Sequence, residues 1–129
     1  MLYLAGDLGS GTTTFARGFA HAAGVRSPVR SPTYTLLELY PASGATLVHL
    51  DLYRLRSPAE LDSLGLSEWA LPEHVWLIEW PEHGAGRLPP PDLTVSFAAG
   101  PAGHDIELAA SSALGGQWLV QLESDLRTP

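Results

Sequence analysis

The run Gly6-Asp7-Leu8-Gly9-Ser10-Gly11-Thr12-Thr13 decides the fold. It fits the phosphate-loop pattern G-x-x-x-x-G-K-[ST] everywhere except at Thr12, which stands where the pattern has lysine. In such a loop the backbone N–H groups converge on an anion, and the helix that follows adds the positive end of its dipole. Both contributions survive the change. The lysine would reach the β- and γ-phosphates as a point charge, whereas a threonine hydroxyl offers a short, neutral hydrogen bond. The expectation is a nucleotide site short of one charge, in which binding persists and hydrolysis suffers.

The flanks supply the context that this motif requires. Met1 to Ala5 is an apolar run, read as a buried strand entering the loop. From Thr13 to Ala23, Phe15, Phe19 and Ala23 recur at helical spacing beside Ala16 and Ala20, and Gly24 supplies a C-terminal stop. Strand, glycine loop and helix follow in the order of a phosphate-binding unit.

At 129 residues and 45% hydrophobic composition the chain suits one domain, taken as residues 1–129. A formal net charge of -7 argues against a protein that holds nucleic acid by its own overall field, since neutralising phosphates needs lysine and arginine. The absence of cysteine excludes disulfides and thiolate metal sites and fits a reducing compartment. There is no transmembrane run, and the apolar start is too short for a signal peptide, so a cytoplasmic protein is expected.

Ser27-Pro28 and Ser31-Pro32 push the stretch Val25 to Thr35 out of helical conformation. Arg30, Ser31, Thr33 and Thr35 offer a cation and hydroxyls to a γ-phosphate or metal, as switch segments do; a plain surface turn is the other reading. Thr46 to Leu55 alternates, putting His49, Asp51 and Tyr53 on one strand face and Val48, Leu50 and Leu52 on the other. An acidic residue in such a strand is explained either by a ligand crevice or by a solvated edge. His49 reads as a structural histidine and is not taken as a base. Ser57-Pro58-Ala59-Glu60 combines an N-cap, a first-turn proline and a capping-box glutamate, with Gly65 as stop, which predicts a short helix; Glu68, Trp69 and Leu71 extend its packing. Val75 to Pro81 is β-prone and delivers Glu79 to the end of a strand, where ligands of open α/β sheets bind and where magnesium could be met. Its other reading is a surface acid. His83 to Pro91 reads as a loop, Asp92–Phe97 and Asp105–Ala109 as paired antiparallel strands, and Leu114 to Leu126 as a helix weakened by Gly115-Gly116.

In this order the chain resembles the TsaE family, also called YjeE, of bacterial P-loop ATPases involved in tRNA modification. The resemblance is carried by Gly6 to Gly11, Thr13-Thr14-Phe15, Arg17-Gly18, Ser31 to Leu36, His49 to Leu55 and Ile78-Glu79-Trp80-Pro81. It implies a P-loop NTPase-like α/β three-layer sandwich, with a mixed, mainly parallel central sheet and a C-terminal antiparallel portion. It further implies ATP and Mg2+ as cofactors, TsaB and TsaD as partners, and a role in threonylcarbamoylation of adenosine beside the anticodon, with tRNA met only through the complex. By motif, Gly6, Asp7, Leu8, Gly9, Ser10, Gly11, Thr12, Thr13 and Thr14 would cradle the nucleotide. Thr13, Glu79 and Asp51 would hold the metal, Asp51 and Glu79 would serve catalysis, and Ser31 to Thr35 would act as a switch. Three departures stand against this pattern: Thr12 for lysine, no segment before the first strand, as if the chain were N-terminally truncated, and Gly103-His104 where the family tends to have glycine then arginine. A hydrolysis-deficient assembly module is the alternative, and a small-molecule phosphotransferase a weaker one.

Overall fold

The computed structural model describes residues 1–7, 11–29, 36–66, 73–100 and 103–127. Strand β1 is Leu2–Gly6 and helix α1 is Thr12–Ala22; β2 (Leu37–Ala42) and β3 (Ala45–Asp51) form a hairpin. After the 3-10 helix Pro58–Leu64 come β4 (His74–Glu79), a second 3-10 turn at Pro81–Gly84, the hairpin β5 (Leu93–Gly100) and β6 (Gly103–Ala110), and helix α2 (Ala113–Arg127).

The six strands make one sheet in the order β2-β3-β4-β1-β5-β6. β3, β4, β1 and β5 run parallel, and an antiparallel strand closes each edge. The expected C-terminal antiparallel portion is β5–β6. Its counterpart β2 escapes the sequence reading, because Pro41 interrupts the alternation Leu37 to Tyr40. Proline is tolerated there because β2 is an edge strand.

The parallel strands are buried on both faces, which is why β1 and β4 read as apolar runs. One face carries α1 and α2: Leu2, Leu4, Leu47, Leu77, Val95 and Phe97 pack with Ala16 and Ala20. The other is covered by 3-10 turns and loops, with Leu61 and Leu66 over Val48, Leu50, Trp76 and Ile78. Among the described residues this third layer contains no α-helix.

Several expectations need correction. The Ser57–Gly65 helix forms, with Gly65 left-handed at its end, but as a 3-10 helix; Ser57 Oγ accepts from the Ala59 N–H. β3 stops at Asp51, with the Leu52 N–H making the last bond to the Glu79 carbonyl, so Tyr53 lies beyond the strand. β4 stops at Glu79, where Trp80 adopts φ 57 and ψ 50. The helix expected over Leu114 to Leu126, by contrast, is present as α2 despite its glycines. Glu68, Trp69 and Leu71 lie outside the described residues.

Candidate functional site

The parallel register brings the two carboxylates expected at the site together. Asp51 and Glu79 are paired at the carboxyl ends of β3 and β4, and Glu79 is also opposite Leu4 of β1, two residues before the glycine loop. Ligands of open α/β sheets sit beyond these strand ends. β3 is an inner strand and Glu79 is 1% exposed, so neither the solvated edge nor the surface acid describes these residues.

The loop itself is described only in part: Gly6, Asp7 and Gly11 are placed, and Leu8, Gly9 and Ser10 lie outside the described residues. Gly11 takes φ 108, a left-handed conformation that glycine adopts without strain, and α1 begins from it, with the Phe15 N–H bonded to the Gly11 carbonyl at 2.9 Å. α1 has no side-chain cap and no acidic residue in its first turn. The first N–H groups of a helix have no partner within it, and a helix start of this kind suits an anion.

α1 lays its first turn against the end of β4. Thr13 Oγ1 donates to Glu79 Oε1 at 3.1 Å, while His49 Nε2 meets Glu79 Oε2 at 2.7 Å. Burial pushes the Glu79 carboxyl up, but the His49 contact and the Thr12 and Thr13 hydroxyls outweigh it and hold the group below its ordinary value. Asp51 goes the other way: burial raises it and Glu79 adds to the rise, against the Tyr53 N–H, His49 and Arg54. Asp51 Oδ1 accepts the Tyr53 N–H at 3.1 Å. Thr14 is exposed on the outer side of α1.

Magnesium is usually held by one or two carboxylates together with substrate phosphates and waters. The hard oxygens of Thr13, Glu79 and Asp51 fit that habit. Among the described residues no group of three or more acidic, histidine or cysteine side chains could hold a metal alone. The metal would therefore be held jointly by these residues and phosphate, which would spread the charge of the phosphoryl group.

Thr12, at the lysine position, turns its hydroxyl to Glu79 and contributes no charge. The chain has no lysine at all. Arg17 Nε is bound to the Val29 carbonyl and Arg87 to Asp62, while Arg54 acts on Asp51 by its charge. Arg30 and the switch residues Ser31 to Thr35 lie outside the described residues. Gly103 and His104 open β6.

Two features were missed by sequence reading. His49, read there as structural, touches Glu79. Trp80 stacks on His83 at 5.2 Å between centroids and tilts against the half-exposed Tyr53 at 5.1 Å; His83 Nδ1 donates to the Leu52 carbonyl. The left-handed Trp80 signals a fixed turn right after the carboxylate, which no propensity scale reveals.

A central parallel strand that feeds a glycine loop, and a neighbouring strand whose carboxylate grips the helix after that loop, define a P-loop NTPase-like protein. A search of known families agrees: the model for "Threonylcarbamoyl adenosine biosynthesis protein TsaE" matches residues 1–105. The chain belongs to the TsaE family. It is 44% identical over 115 residues to a Haemophilus influenzae protein named tRNA threonylcarbamoyladenosine biosynthesis protein TsaE, covering 89% of this chain and 73% of that one. The Bacillus subtilis protein of the same name is 36% identical over 123 residues, covering 95% and 75%. The crystal structure of Bacillus subtilis YdiB superposes with a TM-score of 0.79 at 30% identity, over 96% of this chain and 76% of that one.

Proposed function

We propose that the chain is an ATP-binding component of tRNA threonylcarbamoyladenosine biosynthesis, working with TsaB and TsaD. In this reading the Gly6 to Thr14 loop cradles the triphosphate, and Thr13, Glu79 and Asp51 hold Mg2+ against it. The observation that carries the reading is the Thr13–Glu79 hydrogen bond, which joins the loop helix to a strand-end carboxylate held ionised. Family membership supports the tRNA pathway. A net charge of -7 supports contact with tRNA through partners and not through this surface. No helix among the described residues is long and apolar enough to cross a membrane.

A second reading is favoured by Thr12: an assembly module that binds nucleotide or partners without turning ATP over. A charge-assisted hydrogen bond contributes about 1.5–3 kcal/mol, so its loss weakens triphosphate binding roughly ten- to a hundredfold. Hydrolysis loses more, because charge develops in phosphoryl transfer. The test is Mg2+-dependent ATP hydrolysis in the presence of TsaB and TsaD, comparing the parent chain with Thr12→Lys after both are shown to be folded. Turnover by the parent supports the enzyme. Turnover only after Thr12→Lys supports the silent module. No nucleotide binding by either protein overturns the first reading and leaves only a module that binds partners.

A further inference from the structure

His49 lies on an inner parallel strand, opposite Leu77 and on the face it shares with Leu47 beneath α1. Glu38 of β2 is its partner on the other ladder, but Leu47 and Leu77 beside it are core residues, and a leucine would continue that core. Instead the position holds an imidazole that is 1% exposed, with one nitrogen 2.7 Å from a carboxylate that is itself 1% exposed. Its other nitrogen, Nδ1, is buried and has no hydrogen-bond partner among the described residues. A histidine kept for packing alone has both nitrogens satisfied or is replaced by an apolar side chain, because an orphan buried polar atom costs about 1–3 kcal/mol. The fold tolerates that cost at Nδ1 in order to keep Nε2 on Glu79.

The contact also fixes the tautomer. Glu79 is an acceptor when ionised, so the proton of a neutral ring sits on Nε2 and leaves Nδ1 bare. The two Glu79 oxygens are then divided between strand and helix: Oε2 accepts from His49, and Oε1 accepts from the Thr13 hydroxyl. A hydroxyl that gave a lone pair to a metal would keep its proton, so Thr13 could still donate to Oε1 from the helix side while His49 holds Oε2 from the strand side.

We infer that His49 is a positioning residue of the nucleotide site: its Nε2–H fixes the Glu79 carboxylate from beneath, so that Oε1 stays aimed at Thr13 and at the metal the two would hold. The inference rests on the proposed metal–nucleotide reading and adds to it a residue that touches neither ligand. Groups that orient a metal ligand from behind typically contribute 10–100-fold in metal affinity.

The test has two arms, both on the full chain. In 15N-histidine-labelled protein, the long-range 1H–15N spectrum of His49 shows a proton on Nε2, and that resonance moves in Glu79→Gln; an Nε2 without a proton overturns the inference. In the second arm, Mn2+ binding with ATP is followed by electron paramagnetic resonance, and ATP binding in EDTA by calorimetry. His49→Leu weakens Mn2+ binding about 10–100-fold and leaves ATP binding in EDTA unchanged. His49→Gln, whose side-chain amide places a donor near the Nε2 position, recovers most of the loss. Equal loss in both assays, no loss of Mn2+ binding, or a Gln variant as weak as Leu overturns the inference while the nucleotide reading stands. A parent protein that binds neither Mn2+ nor ATP overturns the nucleotide reading itself, and this inference with it. Should His49→Leu fail to fold, the Gln variant and the spectrum of the parent still decide.

Discussion

Burial raises the Asp51 carboxyl above its ordinary 3.8, whereas Glu79, on the next strand, is held below its ordinary 4.5 by His49 and the threonine hydroxyls despite being more deeply buried. Two acids pushed apart in this way commonly mark a functional pair. The shifts carry opposite consequences for stability. A depressed carboxylate contributes stability that is complete above its unfolded value and fades as the pH falls through its folded one. A raised carboxylate is a liability at neutral pH that disappears once the group is protonated. Glu79→Gln should therefore melt below the parent at pH 7, and Asp51→Asn, which keeps an oxygen for the Tyr53 N–H, should melt above it. Both differences should shrink as the pH is taken toward 3. Thermal melts across that range decide the matter; shifts of the same sign at pH 7, or shifts indifferent to pH, would contradict the assignment. The expected stability gain in Asp51→Asn, at a residue proposed to hold metal, is the usual trade between stability and function.

At the scale of elements, α2 shows how a local rule is overridden. Gly115-Gly116 lowers helix propensity, yet the helix forms because its start is tied down: Ser112 Oγ accepts the Gly115 N–H at 3.0 Å and donates to Asp92 Oδ1 at 2.7 Å. The two glycines then have different reasons to exist. A Cβ on Gly115 would lie 1.8 Å from the Asp92 carbonyl oxygen, whereas one on Gly116 would meet nothing within 4 Å. Gly115→Ala should cost about 1–3 kcal/mol by overpacking, and Gly116→Ala should add about 0.5–1 kcal/mol through backbone entropy. Urea denaturation measures both, and equal effects would refute the close approach. The glycine loop, α1, β1, β4 and the last hairpin were legible because each carries its own period or turn residues. β2 was not, since Pro41 breaks its pattern and only the edge position of the strand explains why it is tolerated. The 3-10 geometry of Pro58–Leu64 was hidden because a serine cap and a first-turn proline serve 3-10 and α turns alike. At the site, Asp51 and Glu79 could be named from strand ends. The His49 contact could not, because it depends on the register of β3 against β4.

At the scale of the molecule the two sheet faces are finished unequally. On the helical face an apolar cleft of about 620 Å3 remains between α1 and α2, lined by Phe15, Phe19, Val95, Trp118 and Leu119 and reaching Ile106 and Leu122 at its rim. Ile106 is 54% exposed and Leu122 38%. Apolar surface gathered in one place is a binding surface for any amphiphile of suitable size. The dye anilinonaphthalenesulfonate tests this severely, because it is an anion and the chain carries a net charge of -7, so long-range attraction cannot draw it in. Fluorescence enhancement should nevertheless appear with the native protein while its near-ultraviolet circular dichroism stays intact, which separates a preformed cleft from a loosened, partly folded state. Changing Ile106 and Leu122 together to threonine should remove most of the signal with little change in melting temperature, since both side chains are already partly in water and their burial contributes little. Enhancement that survives the double change would mean that the dye binds elsewhere, and enhancement that appears only when the dichroism collapses would mean that the cleft is closed in solution and that the dye reports unfolding.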